Sequence, residues 1–126
     1  MATKSSTVYV MSIDGSGLRT LATFPNLVER PSWSYDGTRI AVQNDLPHPH
    51  DATGAPLDPR DVDGDIVVID VATGATRELT HAGRKYLDEL PDWSPDGRIY
   101  LQSNRDGVME IYRMNADGSK PKRLTK

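Results

Sequence analysis

Thr7-Val8-Tyr9-Val10-Met11-Ser12-Ile13-Asp14-Gly15-Ser16-Gly17-Leu18-Arg19-Thr20-Leu21 has two counterparts further along the chain, DIVVIDVATGATREL at 65–79 and EIYRMNADGSKPKRL at 110–124. The distance from the first apolar strand residue to the closing leucine is 13 positions in each: Val8 to Leu21, Ile66 to Leu79, Ile111 to Leu124. Each segment alternates with period two, passes through a glycine-containing turn and resumes as a second short strand. Asp14-Gly15, Thr73-Gly74 and Asp117-Gly118 supply the turns, because glycine accepts the positive φ that a tight hairpin demands.

A second module occurs twice, PSWSYDGTRIAVQND at 31–45 and PDWSPDGRIYLQSNRDG at 91–107. Trp33 and Trp93 hold the same place in it. Asp36-Gly37 and Asp96-Gly97 follow as turn dipeptides whose carboxylates can accept from nearby backbone N–H groups. In order, the modules predict an outer strand pair at about 7–23, an inner pair at 30–44 and an outer pair at 65–80. A second inner pair at 90–104 and a last outer pair at 110–125 follow. No segment carries a helical period, so the expectation is all-β. Ile66 to Ile111 spans 45 residues. The first repeat comes to a similar 43 once the 15 additional residues between Trp33 and Ile66 are discounted. A four-stranded unit recurring at 40–45 residues is the blade of a β-propeller.

Trp93-Ser94-Pro95-Asp96-Gly97, Ile111-Tyr112 and Asn115-Ala116-Asp117-Gly118-Ser119 stand in the order and spacing of TolB-type (WD-like) β-propellers, and the chain resembles that family everywhere except an insertion at about 46–61. The resemblance implies a propeller that commonly has six or more blades, in a periplasmic or secreted protein or beside a hydrolase domain. It also implies a protein-docking scaffold with no catalytic residue in the blade motif itself. Gly15, Trp33, Asp36, Gly37, Trp93, Asp96, Gly97 and Gly118 are then structural repeat positions. Two full blades and one extra outer pair do not close a ring, for which about four blades are the minimum. A repeat buries its apolar surface only against neighbours. The expected partners are therefore further blades: the rest of a larger propeller, or other copies of the chain. Because 7–23 and 110–125 are so alike, both could complete the inner pair 90–104. Exchange between copies would close six blades from three chains, so a homo-trimer is the favoured assembly.

Composition excludes several other classes. With 126 residues there is room for one domain. Lys and Arg number 15 against 18 Asp and Glu, a net charge of −3, which disfavours nucleic acid as partner. No apolar run approaches the roughly 20 residues of a membrane span. The first residues, MATKSSTVYVM, show no apolar signal core, so an uncleaved signal peptide is not expected. There is no Cys for a disulfide, thiolate or Cys-based zinc site. No GxSxG, HExxH or P-loop string occurs, and none of the three histidines adjoins a recognisable nucleophile. The expectation is a non-enzyme.

Four further groups carry two readings each. In the acidic run 58–65, Asp61, Asp63 and Asp65 have the oxygen chemistry for calcium, but the glycine is misplaced for an EF-hand. The simpler reading is a solvated repeat turn at the place of Asp106-Gly107, with no cofactor. His48-Pro49-His50-Asp51 could ligate zinc, or be exposed residues of the proline-rich insertion. Trp33 and Trp93 could stack on a ligand, yet their shared repeat position favours packing between blades. Lys120, Lys122, Arg123 and Lys126 could form a nucleic-acid patch, but in an acidic chain they read as a solvated outer face. The insertion itself is a candidate partner surface, since binding residues gather on loops carried by rigid scaffolds.

Overall fold

In the computed structural model, residues 5–45, 53, 64–81 and 85–126 are described. They contain ten strands and no helix: β1 Ser6–Val10, β2 Arg19–Phe24, β3 Leu27–Trp33, β4 Arg39–Asp45, β5 Gly64–Asp70, β6 Thr76–Glu78, β7 Asp88–Trp93, β8 Ile99–Ser103, β9 Glu110–Met114 and β10 Lys122–Arg123. No helix among the described residues is long and apolar enough to cross a membrane. All pairings are antiparallel. β1 and β2 form a two-stranded sheet. Strands β3-β4-β5-β6 and β7-β8-β9-β10 form two four-stranded meanders. The all-β expectation holds, with the four-stranded unit of a propeller blade seen twice.

The three sheets stack face to face, and the stacking explains the residue pattern. One apolar cluster joins Leu21 and Phe24 of β2 to Ile40, Val42, Val67 and Ile69. A second joins Ala41, Ile66 and Val68, from the other face of the same meander, to Trp93, Ile99, Leu101, Tyr112 and Met114. The middle sheet is therefore covered on both sides, and Ile66-Val67-Val68-Ile69 is buried throughout. The last sheet has one neighbour only, so β8 alternates: Ile99, Leu101 and Ser103 are buried, Tyr100 and Gln102 half-buried. Packing area, more than strand propensity, sets this difference.

The hairpin turns repeat one hydrogen-bonding scheme. Gly15 N–H donates to Ser12 O, Gly37 to Ser34 O, Gly97 to Ser94 O and Gly118 to Asn115 O, all at 2.8–3.0 Å. These are type I turns closed by a left-handed glycine. At two of the tips glycine is needed for space as well as for φ. A Cβ on Gly74 would stand 2.4 Å from the Leu21 carbonyl oxygen, and one on Gly118 would stand 2.5 Å from that of Leu79. Each tip thus touches the end of the preceding sheet's outer hairpin. Gly15, at the offset of Gly118, meets nothing within 4 Å, since no sheet lies beyond it among the described residues.

Candidate functional site

The junction between the two meanders is built from residues of the repeated inner hairpins. Both β3 and β7 carry a bulge before a proline, where Arg30 (φ 57°) and Leu90 (φ 54°) adopt left-handed backbone without being glycine. Such strain persists only where surrounding contacts hold it. At Leu90 the turned-out N–H donates to Oε1 of Gln43 on the neighbouring sheet at 3.1 Å, and Gln43 Nε2 donates to Asp45 at 2.8 Å. Three residues on, Trp93 N–H donates to Ser32 Oγ at 3.1 Å, while Ser32 donates to Asp92 at 3.0 Å. The Arg39 guanidinium lies 4.7 Å from the Trp93 ring centroid. Trp93 is 4% exposed, with its indole N–H buried and unpartnered among the described residues.

Trp33 holds the same position on the other meander and is 50% exposed. Their shared repeat position predicts both tryptophans between blades. Within this chain only Trp93 is enclosed: β1 and β2 pack on β4, β5 and Val28 of β3, and leave Trp33 open. The inner hairpin that would carry an arginine over Trp33 is not among the described elements. At the opposite end, Arg98 matches Arg39 and Gln102 matches Gln43. Arg98 is half-exposed and lies 3.4 Å from Asp96 of its own turn. Tyr9 and Met11 are 56% and 62% exposed, whereas Tyr112 and Met114 at the matching places are 3% and 1%. The two ends of the stack therefore display the two halves of one junction.

A second polar assembly locks the last meander. Arg105 Nη2 donates to the fully buried Asp88 at 2.8 Å, and its Nε donates to Ser103 Oγ at 3.0 Å. The guanidinium lies 5.1 Å from the Tyr86 ring and 4.9 Å from the Tyr112 ring. Tyr112 donates its hydroxyl to Asp106. Burial, reinforced by that carboxylate, raises the Tyr112 phenol above its ordinary value. Asp88 Oδ2 has no partner among the described residues. The sequence pattern does not reveal this clamp, because Asp88 lies 17 positions before Arg105.

The turn aspartates act within their own turns. Asp36 accepts from Ser34 Oγ, Thr38 N–H and Thr38 Oγ1, at 2.7, 3.0 and 2.7 Å. Those bonds to the charged form hold its pKa at about 2. Asp14, Asp70, Asp96 and Asp117 are lowered for the same reason, each by a serine or threonine of its turn. Asp65 lies buried at the start of β5, accepting from Thr80 Oγ1 at 3.1 Å. Asp61 and Asp63, the rest of the calcium candidate, fall outside the described residues, as do His48, His50, Asp51 and almost all of the 46–61 insertion. His81 is exposed, 3.5 Å from Glu78. Among the described residues no group of three His, Cys, Asp or Glu side chains is placed to hold a metal. An open groove of about 530 Å³ crosses the junction between Arg39, Asp70, Arg77, Leu79, Asn115 and Asp117, with charges of both signs.

Face-to-face, four-stranded antiparallel meanders joined in chain order define a β-propeller segment. No family model matches the chain. An uncharacterized protein of Agrobacterium fabrum is 43% identical over 67 residues, which cover 52% of this chain and 22% of that protein. Among solved structures, TolB from Acinetobacter baumannii aligns with a TM-score of 0.68 at 22% identity, over 95% of this chain and 26% of TolB. A puromycin-hydrolyzing peptidase of Mycobacterium tuberculosis aligns with a TM-score of 0.67 at 24% identity, over 90% of this chain and 16% of the peptidase. The fold is a TolB-like β-propeller. The chain spans about a quarter, or less, of the length of each of these proteins.

Proposed function

We propose that the chain is a non-enzymatic propeller module that docks protein against its open blade faces. The contrast between the two repeat tryptophans carries this reading. One is sealed by a neighbouring blade under an arginine. Its equivalent stands open beside a matching strained bulge and the same Trp-Ser turn, ready for the same kind of contact. Apolar surface of this sort, rimmed by polar groups that have a defined use, marks an interaction face. The described aspartates with lowered pKa values serve their own turns, and Glu110 is lowered by Thr125 and Arg123 of its own sheet, so these carboxylates do not converge on one point. That supports binding over catalysis, as does the resemblance to docking scaffolds, from which a periplasmic setting also carries over. No metal is required on this reading, so calcium leaves the melting temperature unchanged. A rise would assign binding to the 58–65 run, by mass action on the folded state.

The enzymatic alternative is tested on puromycin hydrolysis, the reaction of the puromycin-hydrolyzing peptidase that shares this fold. Purified protein is incubated with puromycin and simple aminoacyl amides, and products are followed by mass spectrometry. No turnover is expected. Hydrolysis that scales with protein and survives repeated purification would overturn the non-enzymatic reading.

A further inference from the structure

We infer that the open face at Trp33 is completed by the β7–β8 hairpin of a second copy of this chain, which leaves its own β9–β10 and adds to the free edge of β1. The inference rests on the docking reading above and specifies the occupant. Three observations carry it. First, β1 and β9 are interchangeable partners for β8. The register Ile99↔Met114, Tyr100↔Arg113 and Leu101↔Tyr112 maps onto Ile99↔Met11, Tyr100↔Val10 and Leu101↔Tyr9, which keeps methionine and tyrosine at the same places.

Second, the exchange is like for like where it removes contacts. Exposed Tyr9 and Met11 move into the places of buried Tyr112 and Met114. Gly15, which has open space around it, takes the tip position where Gly118 meets the Leu79 carbonyl. Third, the exchange leaves a surplus on the other side of the composite sheet. Arg98 of the incoming hairpin lies over Trp33 as Arg39 lies over Trp93. Its Gln102 accepts from the Arg30 N–H as Gln43 accepts from Leu90, and its Asp92 accepts from Ser32 and from the Trp33 N–H. The burial of Trp33 has no counterpart in the separate chain, so it tips an otherwise balanced exchange toward assembly. Addition of a strand to an exposed sheet edge supplies main-chain hydrogen bonds, and these side chains supply the selectivity. Each copy then contributes one whole sheet and two half sheets, and a heterologous contact of this kind closes a ring or grows into a filament.

The chain has no cysteine, so disulfide trapping reads the register without background. Val10→Cys protein is mixed with Tyr100→Cys protein and oxidised. Directly opposed residues of an antiparallel pair stand about 4.5–5.5 Å apart at Cα, within disulfide reach. The expected product is a disulfide-linked pair containing one chain of each kind. A second variant, Tyr100→Cys with Arg113→Cys, locks β9 onto β8 within one chain, because those two residues are already paired. It should reduce the protein to a single-chain mass, restored to the assembled mass by reductant. The inference is overturned if the mixed disulfide fails to form, or if assembly survives the lock. Either result leaves the docking reading standing with another protein's hairpin as occupant. Amide turnover, by contrast, would remove that reading whatever the disulfides show.

Discussion

Trp33 and Trp93 offer an internally controlled substitution, since they share sequence context and differ in enclosure. Trp93→Ala removes a side chain that is 4% exposed and sits under Arg39 at 4.7 Å. Emptying a buried aromatic site costs about 3–5 kcal/mol, and loss of the desolvated cation–π contact falls within that range. For a chain of this length each kcal/mol moves the midpoint by about 3–5 °C, so a fall of roughly 10–20 °C is expected. Trp33 is 50% exposed, so about half the burial is at stake, near 1–2 kcal/mol or roughly 5 °C. The assay is thermal and urea unfolding of both alanine variants by far-UV circular dichroism, at low and high protein concentration. At low concentration Trp93→Ala should be the more damaging by a wide margin. Raising the concentration should enlarge the Trp33→Ala effect alone, because only that tryptophan awaits a neighbour. Equal effects at low concentration, or a Trp33→Ala cost independent of concentration, would refute the reasoning.

Gly118→Ala should destabilise by about 3 kcal/mol, since it adds a backbone collision with Leu79 O to a positive φ, whereas Gly15→Ala bears only the φ term of about 1–2 kcal/mol; urea midpoints at low concentration compare them. Arg105→Met leaves the buried Asp88 carboxylate without its charge partner and should cost about 3–5 kcal/mol, with Asp88→Asn combined with Arg105→Met recovering part of the loss in the same assay. Acid should weaken the fold between about pH 4 and pH 2. The folded pKa of Asp36 is about 2 against an ordinary 3.8, and Asp14, Asp70, Asp96 and Asp117 are lowered too, so their stabilisation is present above the ordinary value and lost as pH falls through the folded one. Asp36→Asn should flatten the measured dependence of urea midpoint on pH across that window.

Much of the fold was legible because hairpin chemistry is local. The glycine offsets, the 13-residue leucine spacing and the paired tryptophan modules each depend on a few neighbouring residues, and those were enough to find the strands and order them. What depended on a neighbouring sheet was not legible in the same way. Trp33 and Trp93 hold the same place in the repeated module, and their burial differs because among the described elements only Trp93 faces a neighbouring inner hairpin. Gly74 and Gly118 read as ordinary turn residues, while their closest contacts are to Leu21 and Leu79 on another sheet. A usable signal did exist for sheet position. Ile66-Val67-Val68-Ile69 is continuously apolar, as a sheet covered on both faces requires, whereas Ile99-Tyr100-Leu101-Gln102 alternates, as a sheet with one open face does. The Asp88–Arg105 clamp escaped because its members lie 17 positions apart and the other meander has Val28 where Asp88 stands.

Absolute mass in solution, by light scattering behind a sizing column across a wide concentration range, tests most directly whether the open junction is filled by other copies of this chain. The account predicts a concentration-stabilised multiple of the 13.9 kDa chain mass, three chains for a six-bladed ring, reduced to one chain by locking β9 onto β8. A folded protein that stays at 13.9 kDa at every concentration, with Trp33 still open to solvent quenchers, would contradict it.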